Sequence, residues 1–403
     1  MSQDDNATHV EYDVSNIQVL TGMEAVRKRP GMYVGDTEDG FGAVNMVLEL
    51  VDNAFCEAYA GFGDVVEVEL GAEGWVEVRD RGRGIPVALH PTLKKPVMEV
   101  ILTTLHAGGS WSHADAYKVS HGLHGVGVAP VNALSARLEV ESCRDGRRWR
   151  MVCEKGQVVE PLHDCGEAFG TGTRVRFWHD PEIFTGSGVD VQVLWAALDV
   201  RAVAHGGVRV EMSWPQGHQT AHYPAGVTSW AQKQLEASQK AAVGPLLWSD
   251  KYEGEFEADV VLGWHSGFET VEFSGVGGRA TAEGGTHVDG VLEGLAAVVE
   301  RAARKSGRWS EAFHGGGLNP VALRTGLALG VSVMHQNPRF AGSVRDRFTS
   351  PDVKGVLKGF VEARLGPWLA DRPELFGRVI GRALDAQAVV HRMQPWMDVL
   401  EED

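Results

Sequence analysis

Glu49, Asn53 and Glu57 stand at i, i+4 and i+8, a spacing that shares one helix face. A glutamate there can act as a general base, and an asparagine oxygen can bind a hard cation such as Mg²⁺. Taken alone, the spacing fits an ordinary solvated helix face just as well. Asp80 ends an alternating run in phase with Val76 and Val78, so it should point with them toward the core, where a carboxylate needs a hydrogen-bond partner. Arg81-Gly82-Arg83-Gly84-Ile85-Pro86 follows. This run reads either as a capped turn with a surface carboxylate, or as a carboxylate accepting from an adenine amino group. In the second reading Gly82 and Gly84 leave room for the ring. His121-Gly122-Leu123-His124-Gly125-Val126-Gly127-Val128 sets three glycines before a helix, a loop able to turn backbone N–H groups toward phosphates. His121 and His124 lack the further ligands of a zinc set. No G-x-x-x-x-G-K-[ST] occurs, which excludes a P-loop.

These residues need elements to hold them. Val47, Leu50, Val51, Ala54 and Ala58 give the segment from Gly42 to Ala60 one apolar helical face. Val65 to Leu70 and Trp75 to Asp80 alternate around Gly71-Ala72-Glu73-Gly74 and predict a β-hairpin. Further helices are expected at 97–105, 128–134, 189–204, 228–237, 288–305 and 350–365, the last stopped by Gly366-Pro367. Further strands are expected at 138–142, 149–154, 173–178, 208–214, 257–264, 270–273 and 327–334. Strands and helices do not alternate as βαβ repeats, so the fold class is α+β with mainly antiparallel sheet. A boundary near Gly226 divides the chain into 1–226 and 227–403. The 403 residues, 43% hydrophobic and 23% charged, suffice for two cores and exclude wholesale disorder. Net charge is −16, from 38 Lys+Arg against 54 Asp+Glu, so charge alone does not make this a nucleic-acid clamp. Cys56, Cys143, Cys153 and Cys165 form no C-x-x-C pair, which fits a reduced compartment. There is no spanning apolar run, and the polar, acidic Met1 to Asp13 is no secretion signal. A cytoplasmic protein without a membrane partner is expected.

The order of the motifs is more specific than any one of them. E-x-x-x-N on a helix, D-x-G-x-G, G-x-x-G-x-G and then Gly170-Thr171-Gly172-Thr173 resemble the four nucleotide motifs of the GHKL ATPases. Arg27-Lys28-Arg29-Pro30-Gly31-Met32-Tyr33-Val34-Gly35-Asp36, Leu105-His106-Ala107-Gly108-Gly109, Tyr117-Lys118-Val119-Ser120, Val131-Asn132-Ala133-Leu134-Ser135 and Glu283-Gly284-Gly285-Thr286-His287 resemble the gyrase B family, from about Tyr12 to about Ala386. The resemblance implies a GHKL (Bergerat) sandwich, helices over a mixed sheet, followed by a ribosomal-S5-like transducer domain. It implies ATP and Mg²⁺ as cofactors and a homodimer on ATP binding. A gyrase A-type subunit, DNA and aminocoumarin inhibitors are the partners it suggests. Glu49 then matches the general base, Asn53 the Mg²⁺ ligand and Asp80 the adenine carboxylate, with Thr173 beside it. Glu57, Arg83, Gly84, Ile85 and Pro86 fall in the same nucleotide motifs. Gly109, Lys118, Gly122, Leu123, His124, Gly125, Val126, Gly127 and Val128 match the lid over the triphosphate. Tyr12 matches an arm reaching into the partner subunit's site. Arg83 and Arg144 match residues at the mouth where aminocoumarins bind.

The departures bear on catalysis. Asn45 stands where the family usually has a histidine assisting the base, and Ser110 where a lysine follows Ala107-Gly108-Gly109. His121 and Arg81 are unusual at their places. Phe340-Ala341-Gly342-Ser343-Val344-Arg345-Asp346 replaces the family's F-x-G-Q-T-K-D. Ser343 therefore stands for the glutamine and Arg345 for the phosphate-binding lysine; arginine keeps the charge but not the compact ammonium. Slow hydrolysis is expected. The family's E-G-D-S-A-G-G metal-binding domain is missing from these residues, so topoisomerase activity is not expected from them alone. Two functions remain open: an ATPase that drives DNA strand passage when joined to other parts, or an ATP-gated regulatory or drug-sequestering module. The segment from Gln394 to Leu400 lacks the family's basic linker, which favours a free-standing relative over an excised fragment.

Overall fold

A computed structural model describes residues 20, 22–105, 107, 127–186, 188–237, 242–342 and 345–401. The first half opens with helices α1 (Gly22–Lys28), α2 (Gly31–Val34) and α3 (Phe41–Tyr59), then the hairpin β1 (Val65–Leu70) and β2 (Trp75–Asp80). Helices α4 (Val97–Thr103) and α5 (Val128–Ala133) precede β3 (Ser135–Arg144), β4 (Arg147–Glu154), β5 (Gln157–Glu167) and β6 (Gly172–His179). Next come α6 (Val191–Ala204), β7 (Arg209–Trp214) and β8 (Gly217–His222). The eight strands form one sheet in the order β5-β4-β3-β6-β2-β1-β7-β8. Its pairings are antiparallel except β1 with β7.

The hairpin register explains which side chains reach the site. Val66 pairs with Asp80, Val68 with Val78 and Leu70 with Val76, so these residues share a face. Val66, Val68, Val76 and Val78 are buried in the core with Val47, Leu50, Val51 and Phe55 of α3. Each fully buried side chain of this kind contributes about 1.5–3 kcal/mol. Asp80 extends that apolar row to the edge of the core, where it is half-buried. On the opposite face Glu77 is fully covered by Arg79, Arg174 and Arg176, a compensation that a buried carboxylate requires.

The second half begins with α7 (Val227–Ala237). A five-stranded sheet follows, from β9 (Ala242–Glu253), β10 (Glu257–His265), β11 (Val271–Val276), β12 (Arg279–Ala280) and β13 (Leu327–Met334), ordered β12-β11-β13-β10-β9. Helices α8 (Thr286–Lys305), α9 (Glu311–His314) and α10 (Pro320–Leu323), the small pair β14 (Phe340–Ala341) and β15 (Arg347–Phe348), and α11 (Pro351–Ala370) and α12 (Pro373–Glu401) complete it. Val291, Leu295 and Val299 of α8 and Val353, Leu357 and Val361 of α11 are buried over this sheet. The first core runs on through Trp230 and Ala231 of α7 to Val261, Phe273 and Met334. No helix among the described residues is long and apolar enough to cross a membrane.

The α+β, mainly antiparallel expectation holds, and the helices and strands expected from the sequence are present. One stop is wrong. Gly366-Pro367 does not end α11, which continues to Ala370. Pro367 deprives the Ala363 carbonyl of its donor, but both residues face solvent, while Leu365 and Leu369 stay buried on the core side. The strands not read from sequence, β5, β8, β9 and the two-residue β12, β14 and β15, are all sheet edges. β5 carries Pro161 and slips register against β4, as edge strands can.

Candidate nucleotide site

Helix α3 carries both ends of the site. Glu49 is 3% exposed, so it does not lie on a solvated face. Asn53, one turn on, is exposed, and Glu57 is half-buried. Burial of Glu49 follows from its place among Val47, Leu48, Leu50 and Val51, all of them buried. Asn45, one turn before it, donates Nδ2–H to the Val34 carbonyl at 2.8 Å. The residue standing for the family histidine is thus tied to α2.

At the other end the chain wraps tightly around Asp80. Its Oδ1 accepts from the Gly82 N–H at 2.7 Å and the Thr173 N–H at 3.2 Å. Burial, with the Glu57 charge adding, pushes this carboxyl from 3.8 up to about 6, even though the two N–H donors oppose the shift. Surface exposure alone would class the side chain as half-open. The desolvation acts because protein surrounds most of the carboxylate. Glu57 grips the following loop: Arg83 gives it a backbone N–H at 2.9 Å, Nε–H at 2.9 Å and Nη2–H at 2.8 Å. The Arg83 guanidinium lies 4.4 Å over the Phe62 ring. From β3, Ser142 Oγ–H donates to the Ile85 carbonyl and Arg144 Nη1–H to the Gly84 carbonyl, each at 2.9 Å.

The glycines of this loop also have a packing reason. A Cβ on Gly84, whose φ is +77°, would stand 2.6 Å from the Cys143 carbonyl oxygen. One on Gly82 would stand 2.7 Å from the Glu57 Cβ. They permit the loop to pack against α3 and β3, and a Cβ on Gly82 would also stand 2.9 Å from Asp80 Oδ1.

Gly127 and Val128 form the start of α5, Gly127 at φ 66°. Ile85 is half-buried and Pro86 exposed. Arg345 is half-buried at φ +62°, with its guanidinium 5.8 Å from the Phe340 ring. Tyr12, Gly109, Lys118, Gly122, Leu123, His124, Gly125, Val126 and Ser343, with Ser110 and His121, lie outside the described residues. Thus direct bonds join Asp80 to Thr173, Glu57 to Arg83 and Gly84 to Arg144 at one end, and Glu49 lies at the other.

Sequence reasoning missed a buried ionic group beside Glu49. Arg201 Nε donates to Asp52 Oδ1 at 2.6 Å, and Arg279 Nη2 to Asp52 Oδ2 at 3.4 Å. Arg201 had a signal: it shares the apolar face of Leu194 and Leu198, where an arginine needs a buried partner.

The arrangement matches known proteins along nearly its whole length. The family described as "Histidine kinase-, DNA gyrase B-, and HSP90-like ATPase" matches residues 38–183, and the one described as "DNA gyrase B" matches residues 222–394. The 43K ATPase domain of Thermus thermophilus gyrase B, solved with an aminocoumarin, superposes with a TM-score of 0.77 at 31% identity, over 94% of this chain and 98% of that one. The chain belongs to the DNA gyrase B family. The DNA gyrase B protein of Clostridium acetobutylicum is 35% identical over 93% of this chain, and that of Haloferax volcanii 35% over 96%. The chain spans 59% and 60% of those two relatives' lengths. Its fold is the GHKL ATPase sandwich followed by the transducer domain, and the chain is a gyrase B-type ATP-binding module.

Proposed function

We propose that this chain binds ATP with Mg²⁺, dimerises on binding and hydrolyses the nucleotide slowly, as the motor part of DNA strand passage in the cytoplasm. The observation that carries this reading is Asp80. Both backbone donors aim at Oδ1 and the Thr173 side chain adds a third hydrogen bond to the carboxylate, whose remaining lone pairs can accept from an adenine amino group. A desolvated carboxylate suits such a donor, since a charged acceptor contributes about 1.5–3 kcal/mol. The residues also fit the metal: Asn53 is an exposed amide one turn from Glu49. A hard cation held by one amide completes its shell from phosphate and water, and it would supply charge neutralisation to the triphosphate.

In this reading Glu49 takes the proton of the attacking water while ADP leaves with its electron pair. Arg345 offers charge to the γ-phosphate. Gly127 and Val128, at the end of the lid motif, bring the α5 N-terminus toward the phosphates. Tyr12 and the arm around it serve the partner subunit, and the domains divide at 226/227. Strand cleavage belongs to other parts, with a gyrase A-type subunit and DNA as partners. Arg83 and Arg144 frame an aminocoumarin site at the adenine mouth.

The test is ATP turnover by the parent and by Glu49→Ala, with dimerisation followed on a non-hydrolysable analogue. The variant should bind and dimerise like the parent while turnover falls by about 10²–10⁴-fold. Equal turnover removes Glu49 as the base, and a parent that neither binds nor dimerises removes the whole reading.

A further inference from the structure

The hairpin β11–β12 turns through Gly277 and Gly278, at φ +58° and +75°. Two successive positive values make the tight two-residue turn that glycine favours. Val276 therefore pairs with Arg279 directly after the turn, and the tip lies against α6. A Cβ on Gly278 would sit 3.1 Å from His205 Nε2. The transducer sheet thus delivers one arginine into the ATP-binding half.

Its partners there are buried. Arg279 reaches Asp52 Oδ2 at 3.4 Å, with side-chain exposures of 17% and 4%. Arg201 takes the other oxygen at 2.6 Å, itself 4% exposed. Glu49 precedes Asp52 by one helical turn on α3 and is equally covered. Burial pushes Arg279 down to about 10, opposed by the charges of Asp52 and Glu49 and reinforced by those of Arg201 and Arg345. It remains charged at neutral pH, and those four groups are its electrostatic neighbours.

Two carboxylates and two guanidiniums balance. Arg345 is then a surplus positive charge, which suits an arriving anion. A buried pair is a poor source of net stability, because desolvation offsets attraction, but it fixes geometry. Asp52 could have been satisfied by Arg201 from its own half. The second arginine joins the helix of the base to the transducer.

We infer that Arg279 is a positioning residue: through Asp52 it clamps the α3 turn that carries Glu49 to the transducer hairpin, setting the base for attack and making the hairpin respond to an occupied nucleotide site. This rests on the proposed ATPase reading for its kinetic consequence, but not for the clamp.

The experiment compares the parent, Arg279→Gln and Arg279→Lys. Arg279→Met, which leaves no buried amide, replaces Gln if that variant fails to fold. Displacing a catalytic group by about 1 Å costs on the order of 10²-fold. The glutamine variant should therefore lose at least about tenfold in kcat, while analogue affinity stays within about threefold. Lysine, which keeps the charge, should recover most of kcat. Hydrogen–deuterium exchange over 276–282 supplies a readout that needs no turnover. Adding the analogue should protect this segment in the parent and not in the glutamine variant. The inference is overturned if kcat is unchanged or falls in step with affinity, if lysine is no better than glutamine, or if the analogue protects both proteins equally. A parent without ATP turnover would sink the ATPase reading, and the exchange arm would still decide the clamp.

Discussion

Asp80→Asn should move stability and affinity in opposite directions. The carboxyl is raised from 3.8 to about 6 in the folded protein, with burial as the largest cause. A shift of about two units is a ceiling of about 3 kcal/mol against the folded, ionised state. Because the side chain keeps some contact with water, about 1–2 kcal/mol is the realistic part. Asparagine keeps an Oδ1 for the Gly82 and Thr173 donors, so the substitution removes the charge without orphaning them. The unliganded variant should therefore be more stable than the parent at pH 7.5, seen as a higher urea midpoint. The sign fixes the pH window. A raised folded pKa makes the parent relatively more stable below 3.8 and less so above about 6. The advantage of the variant should be full above pH 6.5 and gone near pH 4. Toward ATP the same substitution sets an amide N–H₂ against the adenine amino group and forfeits about 1.5–3 kcal/mol, roughly 10–150-fold in Kd. Calorimetry with a non-hydrolysable analogue measures this. In the parent, affinity should fall as pH drops through about 6, because the acceptor is protonated there; the variant should lack that dependence. A variant less stable at pH 7.5, or one that binds like the parent, refutes the argument.

Three further outcomes follow from the same structure. Gly84→Ala places a Cβ 2.6 Å from the Cys143 carbonyl oxygen at φ +77°; it should lower stability by about 1–3 kcal/mol and weaken nucleotide binding, checked by thermal melts and calorimetry. His287 is fully buried, with Nε2 2.8 Å from Ser274 Oγ, and burial holds it down at about 3. Its contribution to stability is present above about 6.5 and lost as pH falls toward 3, at about 1.4 kcal/mol per pH unit. His287→Gln should flatten the urea-midpoint profile between pH 6 and 4 by one proton, and an unchanged slope would count against it. Ser343→Gln with Arg345→Lys should raise ATP turnover with little change in affinity, and a double variant no faster than the parent would clear the transducer loop of limiting the rate.

Local periodicity made the hairpin legible. Val66, Val68, Val76, Val78 and Asp80 share one face because strand periodicity is two, and the observed register keeps them together. The Asp80 end was legible for the same reason, since D-R-G-R-G directly continues β2. Three things were not. Edge strands such as β5 bury only part of their side chains and slip at bulges, so their alternation is blurred. The helix-stopping force of Pro367 was overruled by Leu365 and Leu369, whose burial outweighs one solvent-facing carbonyl. The Asp52–Arg201–Arg279 group joins residues 149 and 227 positions apart, and no local pattern encodes such a pairing. Only Arg201, on the apolar face of Leu194 and Leu198, carried a sign of burial, and nothing local named its partners.

The two ends of α3 differ in how far their chemistry departs from the family pattern, and this separates binding from hydrolysis. At the proposed adenine end Asp80, Gly82, Gly84 and Thr173 keep the family motif, and Asp80 is held by short backbone bonds from Gly82 and Thr173. At the phosphate end the changed residues meet new constraints. Asn45 spends its amide on the Val34 carbonyl and, having no titrating imidazole, brings no proton shuttle to Glu49. Arg345 holds a left-handed backbone conformation that disfavours any side chain with a Cβ. Its planar guanidinium shares its surroundings with Arg279. Repulsion between two like charges in a partly dry site is relieved when an anion arrives, so a triphosphate should be held well. The same arginine lacks the compact ammonium that tracks a transferring phosphoryl group. Strong retention with weak transition-state stabilisation would give the proposed slow turnover from a tightly bound state. The ratio of kcat to analogue affinity, rather than either alone, is therefore the quantity in which the substitutions at Asn45, Ser343 and Arg345 should appear.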